Sequence, residues 1–546
     1  MGRAEYGIDK RLDGMLYAVV ARPPAYGGSL KFYDAGETMK VPGVVKVVTI
    51  ASPPLPAGVL PAGGVGVIAK NTWAAIQGRE ALKVEWNPGP NGSFSSDAYR
   101  KELEDTSKKA GHVVRRDGDF DKAYASAAKK LEADYYVPLL AQAPMEPPAA
   151  TVRIKEGKCE AWACVQAPQL TRLELSKELN IPFEDVTVNV TLLGGGFGRK
   201  SMPDFVIEAG ILSQAMGGVP VKVVWTREDD IQHAFYNAPA ADHLEAGLDE
   251  DGKLIAWLQR SAAPPMASTF KPNQVYEGAT EMGMGFINNP FVLPDARFEV
   301  GKAEDHVRIG WFRSVYNIAN AFGIQSFVAE LAAAAGQDPK DFLLAAIGPA
   351  RTINPYALND KWNYGQSPRR YPMETGRLRA VTERVAEGIG WGRKLPKGHG
   401  LGIAAFYSFV THVAVAAEVE VSPENGLAVH RVDIAMDCGP RANPDRVRSQ
   451  MEGAVIMGLT TMNYSEVTFK NGAAQQQNFP DYRMVRMDTS PREINTYLVG
   501  GEDWNQPLGG FGEAGVPPVA PAICNAIFAA SGKRIRSLPV KDQLKA

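Results

Sequence analysis

Residues 186–216 read VTVNVTLLGGGFGRKSMPDFVIEAGILSQAM, in which a β-rich run, a run of glycines and an apolar segment led by proline follow one another. The β-rich run predicts a strand over 186–193, and the segment 203–216, with Pro203 at its start, predicts a helix. The glycines at 194–198 let backbone N–H groups approach an anionic or oxo-rich ligand, because no Cβ stands in the way. The same glycines are typical of a tight turn that binds nothing, so the pattern alone leaves both interpretations open.

Two nucleotide-binding motifs are excluded by the letters that follow this loop. A P-loop, G-x-x-x-x-G-K-[ST], requires glycine immediately before its lysine, and here Arg199 precedes Lys200. The dinucleotide fingerprint G-x-G-x-x-G ends on Arg199 when counted from Gly194, and on Ser201 when counted from Gly196. A similar string, GGFG at 509–512, precedes a second predicted helix, so the chain carries two such loops.

The composition is that of a globular protein without a nucleic-acid or membrane signal. The chain has 546 residues, 45% of them hydrophobic, and a formal net charge of −2, which offers no basic surface for nucleic acid or an anionic membrane. No run of about 18 apolar residues occurs, so no membrane span is predicted. The segment MGRAEYGIDKRLDGM at 1–15 lacks the apolar core of a signal peptide, which leaves the compartment open between cytoplasm and periplasm.

The cysteine and histidine patterns predict no metal centre built from side chains of this chain. The seven histidines include no H-E-x-x-H pair, and the four cysteines include no C-x-x-C pair. We expect all four cysteines to be small buried hydrophobic residues: Cys159, Cys164, Cys438 and Cys524. An iron–sulfur cluster would therefore have to reside on another polypeptide.

Stretches rich in Pro, Gly and Asn divide the chain into segments of α/β character. Strands at 16–21, 44–50, 64–69 and 82–86 with a helix at 71–79 predict a small α/β domain over 1–90, ended by NPGPNGS. Polar, helix-favouring residues predict a helical linker over 91–130. Two larger α/β units are predicted at 131–348 and 349–546, with helices at 169–179, 203–216, 322–335, 375–387, 444–459 and 518–531. Their strands are predicted at 186–193, 219–225, 243–248, 255–258, 400–407, 411–421 and 429–436.

Seven strings, spread along nearly the whole chain, carry a resemblance to a known family: GIDKRLDGMLYAVVARPP (7–24), APMEPPAAT (143–151), GGGFGRK (194–200), WFRSV (311–315), DCGPRANP (437–444), QMEGAVIMGL (450–459) and GEAGVPPVAPAICNAIFAASGKRIRSLP (512–539). In these strings the chain resembles the molybdenum-binding subunit of the xanthine dehydrogenase/aldehyde oxidase family, and most of all its isoquinoline 1-oxidoreductase beta-subunit branch. The resemblance implies a hammerhead-like α/β domain followed by two molybdopterin-binding α/β domains, the second incomplete relative to the family, with the metal between them.

The resemblance assigns cofactor contacts, position by position, to Gln166, Gly195, Gly196, Phe197, Gly198, Arg313, Gln450 and Gly512. Phe197 and Gly198 lie beside the molybdenum centre in this family, and Gln166 stands at the position of the glutamine that hydrogen-bonds its apical oxo ligand. Gln450 matches a glutamine that contacts the pterin at a helix start. Arg313 matches an arginine near the active-site channel.

Glu513 matches the glutamate that the family places next to the metal as the general base. The chemistry requires a group that takes a proton from the oxygen destined for the substrate, and a carboxylate within hydrogen-bond reach can do so. We expect Leu508, Phe511, Val516 and neighbouring glycines to enclose this carboxylate, and poor solvation would favour proton uptake.

The resemblance implies the large subunit of a molybdenum hydroxylase that oxidises an aldehyde or an N-heteroaromatic substrate with oxygen derived from water. Its cofactor would be molybdenum on molybdopterin, in the cytosine dinucleotide form, and its electrons would pass to a separate [2Fe–2S] subunit. Relatives that hydroxylate purines carry a second glutamate where this chain has Ser201, so purine hydroxylation is not expected.

One expectation concerns a segment that the family uses and this sequence lacks. The family holds the pterin and its phosphate with a Met-Gly-Gln-Gly type segment and a Ser/Thr-rich segment, and no Gly-Gln-Gly occurs here. We expect either that a second polypeptide supplies these segments or that the chain is a truncated product of a longer gene. The alternative to an enzyme is therefore a non-catalytic subunit body that binds cofactor only with a second chain.

Overall fold

The computed structural model describes residues 2–422 and 426–544 of the chain. Its strands, in chain order, are β1 (Leu16–Ala21), β2 (Ser29–Asp34), β3 (Val44–Ile50), β4 (Gly64–Ala69), β5 (Lys83–Asn87), β6 (His112–Asp117), β7 (Lys129–Val137), β8 (Ala149–Lys155), β9 (Lys158–Ala163), β10 (Val186–Val190), β11 (Val221–Val224), β12 (Ala240–Leu248), β13 (Leu254–Ala262), β14 (Asp295–Val300), β15 (Thr352–Ile353), β16 (Met373–Glu374), β17 (His399–Ser408), β18 (Thr411–Ser422), β19 (Gly426–Asp437), β20 (Phe469–Lys470), β21 (Ala473–Ala474) and β22 (Glu493–Leu498).

The α-helices, in chain order, are α1 (Thr72–Glu80), α2 (Ser96–Ser107), α3 (Phe120–Ser126), α4 (Pro168–Leu179), α5 (Asp204–Ala215), α6 (Arg227–Gln232), α7 (Ala279–Met282), α8 (Asn317–Ala335), α9 (Pro339–Ile347), α10 (Thr375–Ile389), α11 (Pro444–Asn463) and α12 (Val519–Ser531). Helices and strands alternate through the chain, which confirms the predicted mixed α/β class.

The first large sheet has seven strands in the order β10-β9-β8-β11-β1-β4-β3. It joins strands of the first 69 residues to strands of residues 149–224, because β1 pairs in parallel with β11, Leu16 opposite Val221. Helices α4 and α5 pack against this sheet, and their apolar residues form one core with it. The predicted domain boundary near residue 90 remains a prediction, although the sheet runs across it.

The second sheet has five strands in the order β6-β14-β13-β12-β7, and α8 packs against β7 and β12. Helix α8 is the described helix that is long and apolar enough to cross a membrane, yet most of it is buried inside the fold. It packs against α12 as well as the sheet, as a core helix does.

The predicted helical linker is wrong in part. Helices α2 and α3 do occupy much of it, but β6 lies between them and pairs antiparallel with β14. The sequence there, HVVRRD, is too short and too charged to suggest a strand, and its partner β14 lies almost two hundred residues further along the chain. Long-range pairing therefore overrides the helix-favouring composition.

The third sheet, β17-β18-β19-β22, carries α12 and α10. Gly402 on β17 is required there, because a Cβ at this position would clash with the backbone of α12 at Ala522 and Ala526. Helix α12 thus lies directly on the sheet, and the second glycine loop lies close to the start of β18, where a Cβ at Gly509 would clash with Thr411. All four cysteines are buried and free, as predicted.

Candidate active site

The first glycine loop is fastened to the core by a buried ion pair. The backbone N–H of Gly194 donates to Glu146 Oε2 over 2.9 Å, and Lys200 Nζ donates to the same oxygen over 2.8 Å. Arg199 makes two hydrogen bonds of 2.9 Å to Asp204, and both cations are fully buried. The two positive side chains after the loop are thus structural and do not face a ligand.

Gln166 lies against the loop with its amide orientation defined. The N–H of Gly198 donates to Gln166 Oε1 over 3.1 Å, so the amide nitrogen is turned away from the loop. Gly198 has φ of 98°, and a Cβ there would clash with the carbonyl of Trp311, so only glycine fits. Gln166 Nε2 makes no hydrogen bond to the described residues, which leaves an unpaired donor at the loop.

Arg313 joins the two glycine loops and α11. Its Nε donates to the carbonyl of Gly512 over 2.7 Å, and its Nη2 donates to the carbonyl and to Oε1 of Gln450 over 2.9 and 3.0 Å. Its own N–H donates to the carbonyl of Phe197 over 3.0 Å. Burial lowers the pKa of Arg313 to about 10. Gln450 Oε1 accepts from Arg313, and Gln450 Nε2 donates to no residue within 2–422 or 426–544.

Glu513 is held by Ser314 at two points. Its Oε2 accepts the backbone N–H of Ser314 over 2.7 Å, and its carbonyl accepts the Ser314 hydroxyl over 2.7 Å. Burial raises the pKa of Glu513, while the Ser314 N–H and the charge of Arg313 act to lower it. Among residues 2–422 and 426–544, no cation lies within 4.0 Å of the carboxylate and nothing donates to Oε1.

The predicted enclosure of Glu513 is wrong for two of its three apolar residues. Leu508 is 58% exposed and Phe511 is 37% exposed, whereas Val516 is buried. Trp311, Phe312 and Arg313 line the same cavity as the carboxylate. Phe511 points outward because the loop is pinned by its backbone, with Gly510 N–H donating to the carbonyl of Phe409.

Ser314 is a site residue that the sequence analysis did not single out. Ser314 and Val315 have φ of 84° and 43°, which is unusual for residues other than glycine and costs about 1–3 kcal/mol each. This strained turn aims the Ser314 N–H at Glu513 immediately before α8 begins. The string WFRSV was recognised as a whole, but the amino-acid sequence does not show which backbone N–H group points into a site.

A cavity of about 590 Å³ brings the predicted residues together. Of the nine, all but Gly195 line it: Gln166, Gly196, Phe197, Gly198, Arg313, Gln450, Gly512 and Glu513. Gly195 lines a neighbouring cavity of about 910 Å³ with apolar side chains of α11 and of the segment 479–485. Phe197 and Arg313 border both cavities and form the wall between them. Ser201 lies in the smaller cavity.

Comparison with protein families gives two matches, both described as Molybdopterin cofactor-binding domain, over residues 103–345 and 382–491. The matched regions contain both Gln166 with the first glycine loop and Gln450 on α11.

Among curated proteins, the chain is 32% identical to the membrane-bound aldehyde dehydrogenase (pyrroloquinoline-quinone) of Gluconacetobacter polyoxogenes, over 99% of this chain and 70% of that protein. It is 30% identical to isoquinoline 1-oxidoreductase subunit beta of Brevundimonas diminuta, over 100% of this chain and 66% of that protein. Among solved structures, aldehyde oxidoreductase from Desulfovibrio gigas aligns with a TM-score of 0.79 at 16% identity, over 100% of this chain and 78% of that one, and shows the same fold.

Proposed function

Because the chain belongs to the molybdopterin-dependent oxidoreductases of the xanthine dehydrogenase/aldehyde oxidase family, we propose that the 590 Å³ cavity binds the molybdenum end of the cofactor and is the site of substrate oxidation. The reaction would be the oxidation of an aldehyde or an N-heteroaromatic compound, with oxygen derived from water. Glu513 would be its general base.

The free amide groups at the cavity support this proposal. Gln166 and Gln450 are both held through their oxygen atoms, by Gly198 and Arg313 respectively. In the part of the chain that the structure describes, neither NH₂ group donates to a protein acceptor, and both glutamines are exposed. Such donors suit oxo and pterin acceptors and would not suit a cation. The cofactor would supply the redox chemistry by accepting two electrons from the substrate.

The single observation that carries the catalytic assignment is the state of the Glu513 carboxylate. One oxygen is fixed by the Ser314 N–H, and the other accepts no hydrogen bond from the described part of the chain. A fixed carboxylate with one free oxygen and a raised pKa can take a proton at Oε1 and hold it. Arg313, which is tied to backbone carbonyls, would position the loop and tune this carboxylate without neutralising it.

The finer assignments rest on the family resemblance of the sequence. We propose the cytosine dinucleotide form of molybdopterin as the cofactor. We also propose a separate [2Fe–2S] subunit as electron acceptor, because all four cysteines of this chain are single buried thiols. The printed names of the relatives include an aldehyde dehydrogenase and an isoquinoline oxidoreductase, so both substrate classes are retained. The chain spans 70% and 66% of those two relatives, and a second polypeptide that supplies the remaining pterin contacts is part of the proposal.

A quinone cofactor is the alternative, because the name of one relative includes pyrroloquinoline-quinone. Both matching families, in contrast, are described as binding molybdopterin cofactor. Measuring the molybdenum and quinone content of the purified complex distinguishes between the two cofactors.

The experiment is to purify the chain with its co-expressed partners, to measure molybdenum, iron and quinone per chain, and to assay dye reduction with benzaldehyde and with quinoline in ¹⁸O-labelled water. We expect about one molybdenum per chain, no quinone, and ¹⁸O in the product of at least one substrate. Activity that follows quinone content in a preparation without molybdenum would overturn the proposal.

A further inference from the structure

The third sheet carries a second group of side chains that no part of the proposed reaction uses. His399 on β17, Glu420 on β18 and His430 on β19 lie on three adjacent strands, and one ligand atom from each lies within 4.8 Å of the other two. We propose that these residues bind a divalent transition-metal ion, with Zn²⁺ the expected occupant, at a site separate from the cofactor cavity.

The register of the strands produces this grouping. His399 stands directly opposite Glu420 in the antiparallel β17–β18 pair, so the two side chains share a face of the sheet. On β19 the register shifts opposite Glu418 and Val419, and this irregularity brings His430 over Glu420. The three residues lie far apart in sequence and form no short motif, which is why the histidine pattern predicted no ligand set.

Glu420 is hydrogen-bonded to one of the two histidines and lies just beyond hydrogen-bond distance of the other. Glu420 Oε2 lies 3.0 Å from His430 Nε2 but 3.8 Å from His399 Nε2, which is too long for a hydrogen bond. Ligand atoms held about 2.1 Å from one Zn²⁺ in tetrahedral geometry lie roughly 3.4 Å apart, between these two values. A shift of a few tenths of an ångström in each side chain would complete the geometry.

The orientation of His399 is set by a carboxylate behind it. His399 Nδ1 lies 3.2 Å from Glu418 Oε1, and Glu418 is itself paired with Arg393. If Nδ1 carries the proton and donates to Glu418, the lone pair of Nε2 faces Glu420. This carboxylate–histidine arrangement is the usual support of a metal-binding histidine, because it selects the tautomer and raises the basicity of the ligand nitrogen.

The two imidazole rings add an independent observation. They are stacked with centroids 5.0 Å apart and planes only 5° apart. Stacked in this way, both rings can direct a nitrogen at one ion. Side-chain exposures of 18%, 35% and 19% for His399, Glu420 and His430 leave the site open to an incoming ion and to a water ligand.

The chemistry of the donors selects the class of ion. Two imidazoles and one carboxylate suit Zn²⁺ and neighbouring first-row ions, and they are too few and too soft for Ca²⁺ or Mg²⁺. The site lies near one end of β18, and the second glycine loop lies near the other end, at Thr411. At 3.3 Å per residue, the two are roughly 30 Å apart. An ion here would link three strands of the sheet without contacting the molybdenum cavity.

The test is zinc titration calorimetry on the purified protein of 546 residues after treatment with EDTA, with Co²⁺ absorption as a second readout of ligation. We expect about one Zn²⁺ per chain. His399→Gln, His430→Gln and Glu420→Gln should each weaken binding by at least about 100-fold, and Glu418→Gln by about 10-fold, as removal of a supporting carboxylate does.

His112→Gln is the matched control, because His112 is an exposed histidine on another sheet. Melting temperatures in EDTA show whether each variant folds. Equal zinc affinity in wild type and in all three ligand variants, or no binding by the folded wild type at millimolar zinc, would overturn the proposal.

Discussion

The pKa of Glu513 depends on neighbouring groups that can be substituted one at a time. Burial raises its pKa, and the charge of Arg313 opposes that effect. The basic form of the carboxylate exists only above its pKa, so the acid limb of a plot of kcat/KM against pH reports this value. The limb is expected above the range in which an ordinary glutamate titrates.

Arg313→Met should move this acid limb to higher pH. The substitution keeps an unbranched side chain in the wall of the cavity but removes the positive charge that lowers the pKa of Glu513. The measurement is the pH dependence of kcat/KM of the complex, with Arg446→Met on the exposed face of α11 as the control. An acid limb that stays in place or moves to lower pH would show that Arg313 does not tune Glu513.

At the residue scale, the sequence predicted side-chain contacts better than backbone contacts. Eight of the nine predicted site residues border one cavity. Seven of them stand in the quoted strings, and Gln166 was matched by its position before the first glycine loop. The Ser314 N–H and the positive φ of Val315 could not be predicted, because backbone geometry depends on the packing of Trp311 and Phe312 around the strained turn.

The first glycine loop is an element whose shape rests on a buried ion pair. Lys200→Met should lower the free energy of unfolding by about 3–5 kcal/mol, because Glu146 would keep a buried charge without its cation. Thermal or urea unfolding of the variant measures the loss, and Lys40→Met, at an exposed lysine, is the control.

Adding Glu146→Gln to Lys200→Met should recover part of that loss, since the amide oxygen can still accept from Gly194 and no charge is left buried. A double variant as unstable as Lys200→Met would contradict this explanation.

Two buried carboxyl groups, one in the second sheet and one beside it, link the stability of the protein to pH. Asp242 on β12 stands opposite Ser261 on β13, and Glu277 lies beside the same hydroxyl. Burial raises the pKa of Asp242 to about 7 and that of Glu277 to about 8. The folded state therefore holds protons that the unfolded chain loses near pH 4, and the stability they contribute is lost as pH rises from about 4 to about 8.

Asp242→Asn should reduce the loss of folding stability with rising pH. The reduction is up to about 1.4 kcal/mol for each pH unit between the unfolded and the folded pKa of Asp242. The measurement is the free energy of unfolding at pH 5 and at pH 8, with Asp251→Asn at an exposed turn as the control. An unchanged slope would mean that Asp242 is already ionised in the folded protein.

At the element scale, segments with a local sequence pattern were predictable and long-range strand pairings were not. Helices α8 and α10 were predicted over most of their length, and Gly336 ends α8 in the left-handed conformation that favours glycine. Strand β6 and the union of β1 with β11 were missed, because their partners lie about two hundred residues away and leave no local pattern.

The whole molecule presents two cavities on either side of Phe197 and Arg313, and part of the length of its relatives is not represented in this chain. We expect the chain expressed alone to retain little molybdenum, since Gln450 and the glycine loops make only part of the expected contacts. Supplying the missing pterin-binding segment as a separate polypeptide should restore molybdenum, measured by elemental analysis. Full occupancy in the lone chain would contradict the proposal of a second contributing polypeptide.

The most direct measurement is turnover per bound molybdenum in Glu513→Gln and wild-type complexes. Glutamine keeps the shape of the side chain and can still accept the Ser314 N–H, but it cannot take a proton. We expect turnover to fall by about 10²- to 10⁴-fold at equal molybdenum content, because that is the contribution of a general base, while Glu502→Gln, at an exposed glutamate, should leave turnover unchanged. Equal turnover in Glu513→Gln and wild type would contradict the account that places the catalytic base in this chain.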